Sequence, residues 1–200
     1  MKTELLVSLC AAAALLTACG KKQNAAEDTA SAPTTTAAPV PAEAPPPAET
    51  PPPAAVTAQL TPTQGNTAAG TLTLTADGET VHVSGTLQGL KPNGEFGFHI
   101  HEKGDCSAPD ASSAGGHFNP TNSQHGDPQG ATHHGGDMLN AKSDAQGNAQ
   151  VDVVASGVSL TQGQPNDVHG KAIVMHEKRD DYKTQPSGDS GARIACGVIN

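Results

Sequence analysis

EFGFHIH, running from Glu95 to His101, sets Phe96, Phe98 and Ile100 at every second position and His99 and His101 between them. Residues two apart on a strand point the same way, so the three apolar side chains share one face and the two imidazoles share the other. The apolar face suits a core. The histidine face is expected to look outward, where two imidazoles can reach one metal ion. A half-buried strand carrying two exposed histidines fits the same seven residues, so the rest of the chain has to decide between the two readings.

The same period recurs elsewhere in the chain. TLTLTA (71–76), TVHVSGTL (80–87), AQVDVVA (149–155) and KAIVMHE (171–177) alternate or are β-branched, and Gly, Pro, Asn and Asp punctuate them. These are strand signals, and no long stretch shows helical periodicity, so the fold class is all-β. ADGE (76–79) and AQGN (145–148) read as hairpin turns, the first with an Asp-Gly pair that favours a primed turn. Strand signals fade between His101 and Ala149. That leaves nearly fifty residues of loop, far more than a connection needs, and a loop of that length requires another source of order.

The 200 residues are unevenly used. After Lys2, an apolar run from Leu5 to Leu16 has the length of a secretory signal core and is too short to span a bilayer comfortably. It ends in Leu16-Thr17-Ala18-Cys19-Gly20, which resembles the lipobox of bacterial lipoproteins, with Cys19 as the lipidated residue. Gly20, where enterobacterial-type sorting reads Asp as a retention signal, favours the outer membrane; the side faced, periplasm or cell surface, is open. From Gly20 to Leu60 the chain is mostly Ala, Thr and Pro, with nine prolines between Pro33 and Pro53. Such a tether reaches on the order of 100 Å at ~3 Å per residue. The expected organisation is therefore a signal peptide over 1–18, a lipidated disordered tether over 19–60, and one domain over 61–200.

That domain carries eight Lys and Arg against fifteen Asp and Glu, a formal −7 that argues against nucleic acid as a partner. Cys10 lies in the signal and Cys19 at its end, which leaves Cys106 and Cys196 as an even pair in an exported domain; they read as a disulfide. On the chain-entropy model it contributes about 4–5 kcal/mol. Aromatic residues make up only 2% of the chain, so large side chains for a core are scarce and such help is needed.

A second source of order lies in the loop itself. His117, His125, His134 and Asp137 fall inside it, and His176 ends the KAIVMHE strand. Three imidazoles and a carboxylate suit tetrahedral zinc, whereas a flattened set of imidazoles suits Cu(II). With His99 and His101 there are seven ligands, enough for two metals if one histidine bridges through both ring nitrogens.

With these residues in view, the sequence resembles the copper/zinc superoxide dismutases. GFHIHEKGD (97–105), GGHFNP (115–120), HGDP (125–128), HGGDMLN (134–140), VMHEKRDD (174–181) and GARIACGVIN (191–200) occur in that family's order over essentially the whole domain. The resemblance implies a Greek-key β-barrel or sandwich with long metal-binding and electrostatic loops. It implies copper on His99, His101, His117 and His176, and zinc on His117, His125, His134 and Asp137, with His117 shared. Asp180 matches an aspartate that links ligands of the two sites, Cys106 and Cys196 match the intrasubunit disulfide, and Arg193 matches the arginine beside the copper channel.

His133 competes with His134 as the third zinc histidine, although His134-x-x-Asp137 has the family's spacing. His82 and His169 match no role. Lys178, Arg179 and Lys183 are mixed with Asp181 and Asp189 in what reads as a solvated charged loop. The implied reaction is disproportionation of superoxide to dioxygen and hydrogen peroxide, in which His117 releases copper on reduction and carries a proton to the nascent peroxide. The alternative is a non-catalytic envelope lipoprotein that sequesters copper or zinc. A copper-only enzyme is disfavoured because the zinc set is complete. Bacterial relatives differ in oligomeric state, a homodimer among the options, and no contact surface is legible in the sequence.

Overall fold

The computed structural model describes residues 55–200. Its strands are β1 (Ala55–Pro62), β2 (Ala69–Asp77), β3 (Thr80–Gln88), β4 (Glu95–Phe96), β5 (Phe98–His101), β6 (Ala141–Lys142), β7 (Ala149–Ala155), β8 (Ala172–His176) and β9 (Arg193–Val198). The period-two pattern decides which side chains turn inward. Ala58 and Leu60, Leu72 and Leu74, Val81, Val83 and Leu87, and Ala149 and Val151 are buried, while threonines and glutamines lie between them toward solvent. The helical content of the described residues is a single 3-10 turn, Ser112–Ala114.

Seven strands form one curled antiparallel sheet in the order β5-β8-β9-β1-β2-β3-β7. β1 makes the curl: Ala55 to Leu60 pair with β2, while Thr61 and Pro62 pair with β9. A two-stranded ribbon, β4 with β6, bridges the open side. β4 runs into β5 past Gly97, and β6 runs into β7 through a turn in which the Asp144 carboxylate accepts the N–H groups of Gln146 and Asn148. The β2–β3 hairpin turns at Gly78-Glu79, with Asp77 and Thr80 as its closing pair and Gly78 at φ 58, the positive φ a primed turn requires.

The core inside the curl is aliphatic apart from Phe96, Phe98 and Phe118 and includes Leu60, Leu72, Leu74, Ile100, Met138, Ile173, Met175 and Ile199. Each such burial stabilises the fold by roughly 1.5–3 kcal/mol. A smaller cluster lies on the outer face of β8 and β9, where Ala111 and Ala114 pack on Ala172, Val174 and Cys196.

Two expectations change. The tether was read through Leu60, but Ala55–Leu60 belong to β1. Their Val56/Ala58/Leu60 alternation is short, and the Ala and Thr residues within it continue the Ala- and Thr-rich composition before it, so composition hides the strand. His99 and His101 do not face outward: they are 0% and 1% exposed, because the loop between β5 and β6 folds over their face. The signal segment, Cys19 and the tether up to residue 54 lie outside the described residues.

Candidate metal centre

β5 and β8 are neighbours, with Phe98 opposite Met175, Ile100 opposite Ile173 and His101 opposite Ala172. This register sends Phe98, Ile100, Ile173 and Met175 into the core and leaves His99, His101 and His176 on the other face. The free edge of β5 is then stitched to the loop. Phe118 N–H donates to Ile100 O (2.8 Å), Ile100 N–H to Gly136 O (2.9 Å) and Gly136 N–H to Phe118 O (2.8 Å). His117 is thereby set across from His101. A Cβ at Gly136 would lie 2.2 Å from Ile100 O, so the close approach that places Asp137 requires glycine there.

The hydrogen bonds of the imidazoles assign their protons. His101 Nδ1 donates to Gly115 O (2.9 Å) and His176 Nδ1 to Gly191 O (3.2 Å), while His99 Nε2 donates to Asp180 Oδ2 (2.7 Å). An N–H used this way leaves a lone pair on the other ring nitrogen. Those nitrogens, His99 Nδ1, His101 Nε2 and His176 Nε2, together with His117 Nε2, are buried and have no hydrogen-bond partner. Leaving four polar atoms in that state is costly, and a shared cation resolves it.

A second set lies on the far side of the His117 ring. His117 Nδ1, His125 Nδ1 and His134 Nδ1 stand 2.8, 3.0 and 3.4 Å from Asp137 Oδ1. The other Asp137 oxygen accepts the N–H groups of Gly126 (3.1 Å) and His134 (2.8 Å). His125 donates through Nε2 to Asp180 Oδ1 (3.0 Å), so its Nδ1 faces the Asp137 carboxylate without making a hydrogen bond. Two electron-pair donors held that close need a cation between them, a metal ion or, without one, a proton on the ring. Both quartets, His99/His101/His117/His176 and His117/His125/His134/Asp137, bring one ligand atom per residue within 4.8 Å of one another. The donor sets fit the metals the sequence implied: four imidazoles for copper, and three imidazoles with a carboxylate for zinc.

The electrostatics follow from the same contacts. Burial, then the neighbouring His99, lowers the pKa of His117 to about 4 and that of His176 to about 3. Burial, then His117, pushes His101 well below the usual range. At His125 burial also acts downward, but the Asp137 and Asp180 carboxylates outweigh it and raise the pKa to about 9. Both carboxyls are held below the usual carboxylate range. Burial opposes this and is outweighed, at Asp137 by His117, His125 and His134 and at Asp180 by His125 and His99.

Arg193 owes its orientation to an irregularity in β9. Met175 pairs with Ala195, but the next residue of β8, His176, pairs with Arg193, so Ile194 is the extra residue of a bulge. Ile194 and Ala195 both pack in the core, and Arg193 emerges on the same face as Cys196 and the histidines. Its guanidinium donates to Ala111 O (2.7 Å) and Gly115 O (2.6 Å). The Cys106–Cys196 disulfide ties that loop to β9, with Cα atoms 5.7 Å apart. His101, His117, His134, His176 and Arg193 line one cavity of about 410 Å³.

The remaining histidines fall elsewhere. His133 donates from Nδ1 to His134 O (2.6 Å) and meets Ser156 Oγ through Nε2 (3.2 Å), so it braces the site from outside while His134 enters it. His82 pairs with Asp152 and His169 with Asp167. Three contributors were given no role by the sequence, although Asn140 closes the HGGDMLN stretch. Asn140 pairs in both directions with the main chain of Asp180, Gln185 does the same with His125, and Gly188 lies directly over the Asp180 carboxylate. Each is an ordinary polar or small residue whose partner is distant in sequence.

A curled antiparallel sheet carrying two buried sets of metal-type donors that share one imidazole is a frame that could hold two metal ions side by side. The profile of the copper/zinc superoxide dismutase (SODC) family matches residues 68–199, and the chain belongs to that family. It is 48% identical over 117 residues to superoxide dismutase [Cu-Zn] 2 of Aquifex aeolicus, covering 56% of this chain and 67% of that protein. Against the superoxide dismutase-like protein YojM of Bacillus subtilis it is 44% identical over 126 residues, covering 62% of this chain and 63% of the relative, so part of that relative's length lies beyond the match. The crystal structure of a superoxide dismutase-like protein from B. subtilis superposes with a TM-score of 0.66 at 40% identity, covering 72% of this chain and 97% of that one.

Proposed function

We propose that this chain disproportionates superoxide to dioxygen and hydrogen peroxide at the bacterial cell envelope, to which Cys19 anchors it through lipid. The observation that carries this reading is the set of four buried nitrogens without hydrogen-bond partners, His99 Nδ1, His101 Nε2, His117 Nε2 and His176 Nε2, beside a cavity that also holds Arg193. Copper held there supplies a one-electron couple, while zinc, which has no accessible redox state, supplies only charge and order.

The protein's own residues do the rest. Gly115 O, Gly191 O and Asp180 fix the ring orientations of His101, His176 and His99. Arg193 places a permanent cation in the cavity and draws in an anionic substrate. His117 bonds to Asp137 through Nδ1, and its Nε2 is the atom that takes up a proton and hands it to the peroxide anion. Asp180, bonded to both His99 and His125, couples the geometry of the two sets. Two superoxide ions and two protons give one dioxygen and one hydrogen peroxide, so no other reductant or oxidant is consumed.

The test is metal content together with superoxide turnover of the purified chain. One copper and one zinc per chain with metal-dependent turnover are expected. Both metals bound without turnover would leave the sequestering lipoprotein as the better account, a reading kept in view because the B. subtilis relative is named only superoxide dismutase-like.

A further inference from the structure

We propose that Gln185 is a positioning residue for the site formed by His117, His125, His134 and Asp137, acting through the main chain of His125; this rests on the reading of those four as zinc ligands. His125 lies in the irregular stretch between the 3-10 turn and β6, with no strand beside it. Among the described residues its main-chain N–H and C=O each have one partner, and both partners are on the same side chain. The N–H donates to Gln185 Oε1 (3.0 Å), and Gln185 Nε2 donates to the C=O (2.8 Å).

A primary amide offers an acceptor and a donor side by side, as a neighbouring strand does. Gln185 therefore stands in for the missing ladder partner. The His125 ring is held independently, by Asp180 Oδ1 at 3.0 Å. Asp180 and Gln185 are five residues apart on one loop, so a single short segment grips both the main chain and the side chain of one ligand. Asn140 returns the same kind of clamp to the main chain of Asp180, donating from Nδ2 to its C=O (3.0 Å) and accepting its N–H through Oδ1 (2.8 Å). The loop is thus fixed to the ligand-bearing stretch at two places by amides that contribute no ligand atom. A ligand atom has to stay within about 0.5 Å of its productive place, and supporting partners of metal ligands typically contribute 10–100-fold to affinity.

The experiment compares the full chain with Gln185→Met, which keeps the side chain's length and removes both hydrogen bonds to His125 together with a longer one from Gln185 Nε2 to Lys183 O (3.3 Å). Lys183→Ala, in the same loop and not bonded to His125, serves as the control. Zinc affinity is read by chelator competition, the coordination sphere by the electronic absorption of Co(II) placed in the same site, copper affinity separately, and stability by thermal unfolding of the metal-free protein. The expected result for Gln185→Met is zinc affinity about 10–100-fold weaker and an altered Co(II) spectrum, with copper affinity and the metal-free midpoint unchanged. Lys183→Ala should match the wild type.

Wild-type zinc affinity and Co(II) spectrum in Gln185→Met would overturn the proposal. So would equal weakening of both metals with a lowered midpoint, since that marks a general structural role. A wild-type chain that binds no zinc, or keeps it fully in Asp137→Ala, would instead overturn the reading of the site on which the proposal rests.

Discussion

His117 turns Nδ1 toward Asp137 and Nε2 toward the copper-type set, so substitutions on either side of it should separate the two metals. His176→Ala removes a donor from one set only. It should abolish turnover and weaken copper by more than the roughly 10–100-fold that a supporting contact contributes, with zinc retained, as metal analysis after dialysis would show. Asp137→Ala removes the carboxylate that faces three imidazoles, and zinc should be lost first.

Proton competition separates the two sets as well. His125, raised to about 9, is protonated at neutral pH without metal, so zinc must displace that proton. Its affinity should fall about tenfold per pH unit as pH drops below 9, one displaced proton per unit. His117 and His176, lowered to about 4 and 3, stay uncharged above those values, so protons at these two ligands should not weaken copper until pH approaches 4. Dissociation constants measured at pH 7 and pH 5 would check this; copper leaving before zinc would contradict it.

At the scale of elements, the loop over β5, the bulge in β9 and the loop after β8 act together. Gly115 O accepts from both His101 and Arg193, and the stretch that carries it is tied to β9 by the disulfide. Replacing Cys106 and Cys196 by Ala should lower unfolding free energy by about 2–5 kcal/mol. The same change should slow turnover, because the carbonyls that hold Arg193 lose their tether; denaturant titration and rate measurement on one sample would report both. On the other loop, a Cβ at Gly188 would fall 1.8 Å from Asp180 Oδ1 and 2.8 Å from His125 Nε2, at a φ of 68 that disfavours side chains. Gly188→Ala should therefore push Asp180 off His125 and weaken zinc, while a substitution at open Gly65 leaves it unchanged. Equal zinc affinity in the two variants would show that Asp180 does not need that close cover.

For the whole molecule, charge and address matter most. Residues 55–200 carry a formal −7, a field that opposes an anionic substrate, and Arg193 is the cation of the lining of the histidine cavity. Focusing of this kind is worth roughly 10 to 10³ in association rate at low salt. Arg193→Glu should slow turnover at least about tenfold with both metals bound, and added salt should slow the wild type. Equal rates at low ionic strength and full copper occupancy would reject the role. On the proposal that Cys19 carries a lipid, Cys19→Ser should move the protein from the membrane to the soluble fraction with activity per molecule unchanged, as fractionation and rate measurement would show.

Local pattern was sufficient for much of this. Alternation at Leu72/Leu74, Val81/Val83 and Phe96/Phe98/Ile100 specifies strands and their inward faces, because side-chain direction in a strand depends only on position. Residue chemistry alone made the seven candidate ligands that the fold brings together, and the Cys106–Cys196 pair, legible. Three kinds of fact waited for the tertiary structure. One was that both faces of β5 are buried, because burial depends on where a distant loop comes to rest. Another was the choice of His134 over His133, because adjacent residues differ only in which way the folded backbone turns them. The third was the bulge at Ile194 and the amides of Asn140 and Gln185, because hydrogen bonds between residues forty to sixty positions apart leave no periodicity in the chain that makes them.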